Sequence, residues 1–373
     1  MTGVITSVQA RVLAADGRDP LGSPGRTFMA VLVSVTTDDG VTGYGESIAR
    51  ADGAPVKALV DTLLGPLVLE RSIHEVASIH DAMFKQIGAS GQEKGVGVEA
   101  ISGVDTAIWD ALGRSAGEPI FALLRGAARS SVPVYASSVF IKPAAEMCDE
   151  ACRLAGAGHS LIKVKVGRAL QARSLAEDIA ALEAVRAAVP AHVQLCIDAN
   201  SAYTTSQALD LARALAPLDL AFFEEPIAPD DLEGYRTLRD QCGITLAAGE
   251  NAFSVHTFRE LIGERLIGVV QPDLGRCGGI TGAMQVATLA YAFDVAFAPH
   301  TGFSGGLSQL AALQVSAAVP NLSALEHMCI DNPLRDLFVG TYPEPANGLL
   351  AVPTGPGLGM EIDLARVDRF AVS

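Results

Sequence analysis

Two lysines one residue apart, Lys163 and Lys165, sit in the apolar run Leu161-Ile162-Lys163-Val164-Lys165-Val166. On a strand, that spacing puts both ammonium groups on one face. The apolar neighbours make that face an interior one rather than a solvated edge. Two like charges within a few ångströms disfavour protonation, so the pair is expected to bring a lysine toward the pKa a catalytic base needs. Further along, three acids close three short apolar runs. They are Asp198 in Cys196-Ile197-Asp198-Ala199-Asn200, Glu224 in Phe223-Glu224-Glu225-Pro226, and Glu250 in Ala248-Gly249-Glu250-Asn251. Each alone is an ordinary strand-end acid. Converging on one point, they cannot all stay ionised without a cation. Hard oxygen donors with room for water suit magnesium rather than zinc. The next two runs end in Gln271-Pro272-Asp273 and Ala298-Pro299-His300. An aspartate beside a histidine holds its ring and raises its basicity, which makes Asp273 and His300 an acid–base dyad. The last run offers Glu326-His327, of which Glu326 is the candidate.

Such residues need strands to carry them. Eight short apolar runs are predicted as strands: Val132–Val139, Leu161–Val166, Val193–Asp198, Leu220–Glu225, Ile244–Gly249, Ile267–Pro272, Val295–Pro299 and Leu322–His327. Helical stretches rich in Ala and Leu fill most gaps, among them Leu170–Val189, Ser206–Leu215 and Gly279–Phe293. Alternation at about 30 residues per unit predicts a β/α barrel, whose active sites lie at the C-terminal strand ends. A doubly wound sheet would carry a phosphate-binding glycine motif after its first strand, and Ile141-Lys142-Pro143 stands there instead. Ahead of the barrel, Val4–Leu13, Met29–Thr37 and Val41–Glu46 read as an antiparallel meander with a hairpin at Asp39-Gly40. Helices are predicted over Pro55–Leu69 and Glu75–Ile87, and from the spacing of Val98, Ile101, Val104, Ile108 and Leu112. The expected organisation is an α+β domain over residues 1–126, a barrel over 127–345, and a C-terminal segment, 346–373, returning to the first domain.

Composition bounds the partners. Acidic residues outnumber basic ones 42 to 27 in 373 residues, a net charge of −15. That field repels phosphates, so neither nucleic acid nor an anionic membrane is an expected partner. A site for an anion must then build its own positive field. With 49% hydrophobic and 18% charged residues the chain is not a disordered one. No apolar stretch reaches the length of a membrane span, and Met1-Thr2-Gly3-Val4 begins no visible export signal. Six cysteines with no CxxC pair read as reduced thiols of a cytoplasmic enzyme rather than a zinc or redox motif.

With these residues in this order, the sequence resembles the enolase superfamily, and within it the mandelate racemase subgroup. The matching pieces are Lys163-Val164-Lys165, the set Asp198, Glu224 and Glu250, the dyad Asp273 and His300, and Glu326. Thr106-Ala107-Ile108-Trp109-Asp110 and the closing Pro356-Gly357-Leu358-Gly359 support them. The sixth predicted strand lacks the lysine of the muconate-lactonizing subgroup, and mannonate dehydratases lack the Lys-x-Lys pair. The resemblance implies a (β/α)7β TIM-like barrel under an α+β capping domain, one essential Mg2+, and a homo-oligomer. It also implies abstraction of the proton next to the carboxylate of a small-molecule substrate, giving an enediolate. On that resemblance Lys165 is the base on one face, while Lys163 lowers its pKa and contacts the substrate carboxylate. His300, oriented by Asp273, serves the other face, Glu326 hydrogen-bonds the enediolate, and Asn200 supports the metal site. The expected outcome is loss of water from a sugar acid or hydroxy acid, a hydro-lyase reaction. The alternative is racemisation or epimerisation of a 2-hydroxy acid or amino-acid derivative. A non-catalytic acid-binding protein would explain a metal but not a paired base and an opposed dyad. Substrate choice is expected in three loops, Asp16–Arg26, Ser47–Ala54 and Ile87–Val96, which carry Arg18, Arg26, Arg50 and Lys94. Gly302-Phe303-Ser304-Gly305-Gly306 matches a serine-hydrolase elbow, but only His327 follows it, within a predicted strand. It is expected to bend the chain into the last barrel helix.

Overall fold

Strands β1 (Ile5–Gly17), β2 (Arg26–Thr37) and β3 (Thr42–Ile48) form an antiparallel sheet in the order β1-β2-β3. The computed structural model describes residues 3–17, 26–50, 52–126, 128–167 and 174–372. The turn at Asp38–Gly40 closes with Gly40 at φ +84°, a conformation that glycine adopts without a steric penalty. Period-two alternation sends the two faces of β2 into different cores. Val31, Val33 and Val35 face the capping helices, and Phe28, Ala30 and Leu32 join the barrel core. Both faces are covered along the middle of the strand, which is why residues 28–33 are an unbroken apolar run. The long helix Val96–Ala116 lies against β3 at a glycine contact, where a Cβ on Gly45 would stand 2.1 Å from the carbonyl of Gly103.

Among the described residues, eight parallel strands follow. They are β4 (Ser131–Val139), β5 (Leu161–Lys165), β6 (Gln194–Asp198), β7 (Phe223–Glu224), β8 (Leu246–Ala248), β9 (Val269–Val270), β10 (Ala296–Phe297) and β11 (Leu325–Met328). They are joined in sequence order from β4 to β10, and β11 returns to pair with β4. A bridge between Phe297 and Leu322 closes the ring. Among the described residues an α-helix lies in each gap, such as Ala144–Gly156 after β4 and Gly306–Ala318 after β10. The result is the (β/α)7β barrel under an α+β cap. Tyr135, Cys196, Phe222, Ala247, Val269, Ala298 and Ala324 form a small interior cluster of their own. The polar strand ends stand above it.

The ladder-bonded strands are shorter than the apolar runs, most clearly β7, β9 and β10. The backbone leaves the strand region at the polar ends, with φ +43° at Asn200, +38° at Glu225 and +145° at Gly249. The C-terminal segment touches both halves. β12 (Leu349–Ala351) pairs antiparallel with β4, and Ala371 bridges Leu13 of the cap. Gly357, at φ +68°, lies so close to the long helix that a Cβ would stand 2.0 Å from Oδ1 of Asp110. Asp110 accepts the amides of Leu358 and Tyr44 at 2.7 and 2.8 Å. The two supporting stretches of the sequence thus meet each other. The helix Gly306–Ala318 follows the Gly302–Gly306 loop, where Ser304 is buried and its hydroxyl has no partner among the described residues. No described helix is long and apolar enough to cross a membrane.

Candidate active site

On β5, Ile162 and Val164 pack outward into the core, so Lys163 and Lys165 both point toward the barrel axis. They arrive at different depths. Lys163 is 1% exposed, with its Nζ 2.8 Å from Glu224, 2.7 Å from Glu326 and 3.2 Å from Asp198. Lys165 is 17% exposed; its ammonium pairs with Asp198 and donates to Oδ1 of Asn200 at 2.9 Å. The expectation that the pair lowers lysine basicity fails for Lys163. Burial lowers its pKa, but Glu224 and Glu326 outweigh burial and raise it well above the ordinary value. The carboxylates, rather than the second lysine, dominate its field.

Asp198 ends β6 and Glu224 ends β7, in register with each other, and Glu250 stands just past β8. Burial opposes ionisation of Asp198, yet Lys165 and Lys163 hold its pKa below the usual carboxylate range. Glu250 is likewise held well below that range, against burial, by His300. Burial and the Asp198 charge push Glu224 up to about 8. Gln271 donates to Glu224 at 2.7 Å. Asp273 and His300 form a parallel bridge, with Nδ1 of His300 2.7 Å from Asp273. The opposite ring nitrogen, Nε2, lies 2.6 Å from Glu250. Burial lowers the His300 pKa, but Glu250 and Glu326 raise it well above the ordinary value. Glu326, on β11, accepts the amides of Thr301 and Gly302 at 2.8 and 3.1 Å.

All eight residues singled out in the sequence therefore belong to one connected network. Among the described residues, no three His, Cys, Asp or Glu side chains are grouped as a metal-holding set. Lysines and His300 take the oxygens of Asp198, Glu224 and Glu250 instead. The donor chemistry nonetheless fits a hard divalent cation. Six buried carboxylates (Asp198, Glu224, Glu225, Glu250, Asp273 and Glu326) face four cationic side chains: Lys163, Lys165, His300 and, 4.0 Å from Glu250, Arg50. Glu225 is also pushed up to about 8, by burial and by Glu250. The protein's own cations leave that acid cluster undercompensated.

A cavity of about 550 Å³ opens above the network. Lys165, Asn200, Glu225, Glu250, Asn251 and His300 line its floor, whereas Lys163 does not reach it. Its wall includes Phe28, Phe140, Ile141, Phe303 and Met328. Of the expected specificity loops, Ser47–Ala54 contributes Ile48, Ala49 and Arg50. Residues 18–25 of the Asp16–Arg26 loop, Arg18 included, and the Arg26 side chain lie outside the described residues. None of the lining residues comes from Ile87–Val96, which joins two capping helices and neither strand that reaches the cavity. Sequence reasoning missed Glu225, because strict strand alternation after Glu224 turns it away from the axis. Its left-handed backbone brings it back, where Asn251 donates to both its oxygens at 2.9 Å.

A parallel (β/α)7β barrel with strand-end lysines, acids and a histidine dyad under a separate cap defines an enolase-type protein. Residues 24–125 match the N-terminal domain of mandelate racemase and muconate lactonizing enzyme, and residues 146–366 match the enolase C-terminal domain-like family. The chain belongs to the enolase superfamily, in its mandelate racemase subgroup, and is an enzyme. It is 35% identical to an arabinonate dehydratase of Saccharolobus solfataricus, over 93% of this chain and 92% of that protein. It is 31% identical to a D-galactarolactone cycloisomerase of Agrobacterium fabrum, over 98% of each. A racemase from Streptomyces coelicolor A3(2), solved with bound magnesium, superposes with a TM-score of 0.89 at 29% identity, covering 99% of this chain and all of that one.

Proposed function

We propose that this enzyme is a magnesium-dependent dehydratase of a small sugar acid, using Lys165 and His300 as its two proton-handling groups. One observation carries the reading. Lys165 on β5 and His300 after β10 line the same cavity from well-separated arcs of the ring, with the acid cluster between them. Lys165, in its neutral amine form, takes the α-proton and becomes the ammonium, since it is the lysine with access to the cavity. Lys163 keeps its charge, locked by Glu224 and Glu326, and holds the surrounding carboxylates in place. Asp273 fixes Nδ1 of His300, which leaves Nε2 as the atom that protonates the departing β-hydroxyl. Hydroxide is too poor a leaving group to go unaided, so a positioned acid is required. Glu326, oriented by the Thr301 and Gly302 amides and held ionised by Lys163 and His300, keeps those two groups charged. Asp198, Glu224 and Glu250 would hold the magnesium ion, which when bound supplies positive charge for the enediolate.

The arabinonate dehydratase relative supports the sugar-acid class, and the cycloisomerase and racemase relatives support an isomerase as the second reading. Within the same proposal the enzyme works in the cytoplasm, where its six free cysteines stay reduced, and as a homo-oligomer. The test is a panel of sugar acids and hydroxy acids with magnesium in D₂O, following α-deuterium and 2-keto product together. Dehydration gives keto product. Exchange with an isomeric product and no keto acid assigns the isomerase instead, and no exchange on any acid overturns both.

A further inference from the structure

We infer that Arg276 is a positioning residue that ties the capping domain to the metal-holding end of β8, through Asn251 on one side and Glu99 on the other. The inference rests on the magnesium reading above and concerns side chains that reading does not use. Arg276 follows β9 and is 7% exposed. Its Nη1 donates to the backbone carbonyl of Glu250 at 2.8 Å and to Oδ1 of Asn251 at 3.0 Å. Its Nε donates at 3.1 Å to Glu99 of the long capping helix, and its guanidinium lies 4.6 Å from the centre of the Phe253 ring. An arginine can only donate, so the Asn251 amide must turn its oxygen toward Arg276. Its nitrogen is then committed to the carboxylates: both oxygens of Glu225 at 2.9 Å and Oε1 of Glu250 at 3.2 Å. A flipped amide would aim its nitrogen at the guanidinium and its oxygen at two acids. Arg276 thereby fixes one expected metal ligand twice, by its carbonyl and through Asn251 by its carboxylate. Glu99 balances the guanidinium charge, so the clamp adds no net charge beside the acid cluster. The position of Glu250 thus depends on the seating of the cap.

Outer partners that orient metal ligands are each worth about 10–100-fold in metal affinity. The test is calorimetric titration of the full-length chain with magnesium chloride, beside urea unfolding of each variant. Arg276→Met and Asn251→Leu are expected to weaken magnesium binding about 10–100-fold while the protein remains folded. Glu99→Gln, which keeps an acceptor for Nε, is expected to stay within a few-fold of wild type. A merely structural arginine would lower the unfolding midpoint and leave the magnesium dissociation constant alone, and that result overturns the inference. If Arg276→Met does not fold, Asn251→Leu decides, because it keeps the branched outline of the side chain and removes the amide. A wild type that binds no magnesium overturns the metal reading itself, and this inference with it.

Discussion

Lys163 shows how far residue types alone lead and where geometry takes over. The sequence told that it shares a face with Lys165, because period two is a property of any strand. It did not tell that the two end at different depths, since depth depends on which carboxylates the neighbouring strands bring alongside. Three acids within 3.2 Å make Lys163 a fixed cation of the network. Removing one partner of a buried ion pair costs about 3–5 kcal/mol, because the other charges are left uncompensated. Lys163→Met is therefore expected to lower the unfolding free energy by about that amount in chelator, and magnesium is expected to restore part of it. Equal urea midpoints for wild type and variant would remove the network argument. Lys165→Ala should also lower stability in chelator, because it takes a cation away from buried Asp198, and should cut proton abstraction about 10²–10⁴-fold or more. His300→Asn should still exchange the α-proton of a substrate deprotonated by Lys165, yet form little keto product. Keto product at the wild-type rate would reduce the dyad to a strand-to-strand contact.

At the level of elements, apolar runs placed all eight barrel strands, because burial between the interior and the helices demands such runs whatever the site requires. The points where each strand stops were less legible. Asn200 and Glu225 adopt left-handed backbone that no residue preference announces, and both carry site chemistry. Strain of that kind collects at functional sites. The Pro356-Gly357-Leu358-Gly359 stretch was visible as a turn, but its partner was not, since Asp110 lies 247 residues before Gly357. Gly357→Ala tests the pairing. A left-handed alanine costs about 1–2 kcal/mol, and forcing a methyl group against Asp110 adds about 1–3 kcal/mol. A fall in unfolding free energy of at least about 2 kcal/mol is expected in urea, with sugar-acid turnover at low temperature nearly intact. A loss under 0.5 kcal/mol, at about the level of an ordinary surface change, would mean that the C-terminal loop does not hold the capping helix.

For the molecule as a whole, the net charge of −15 tells little about stability toward pH, because the groups that matter are buried and opposed. His327 points away from the barrel axis and stacks on His159 with ring centres 6.3 Å apart. Burial, aided by Arg335 and His159, pushes its pKa from 6.5 down to about 3. Between those values the unfolded chain binds a proton that the fold refuses. Its contribution to stability is complete above pH 6.5 and is lost as pH falls toward 3. Glu46 works in the other direction. It accepts the amides of Gly305 and Ser308 at 2.6 and 3.2 Å, and burial raises its pKa from 4.5 to about 7. Its contribution is complete below pH 4.5 and is lost as pH rises through about 7. Where the two windows overlap, the slopes oppose each other and wild-type stability alone hides both. A difference measurement separates them. The stability of wild type minus that of His327→Asn should rise with pH by up to about 1.4 kcal/mol per unit between 3 and 6.5, then level off. Self-repulsion of the acidic surface, and every titrating group that does not interact with His327, cancels in that difference. Urea unfolding of the two proteins at pH 4, 5, 6, 7 and 8 reads it directly. A difference that stays flat across the acid range would mean that His327 is protonated in the fold, with Glu344, 3.8 Å away, as its partner.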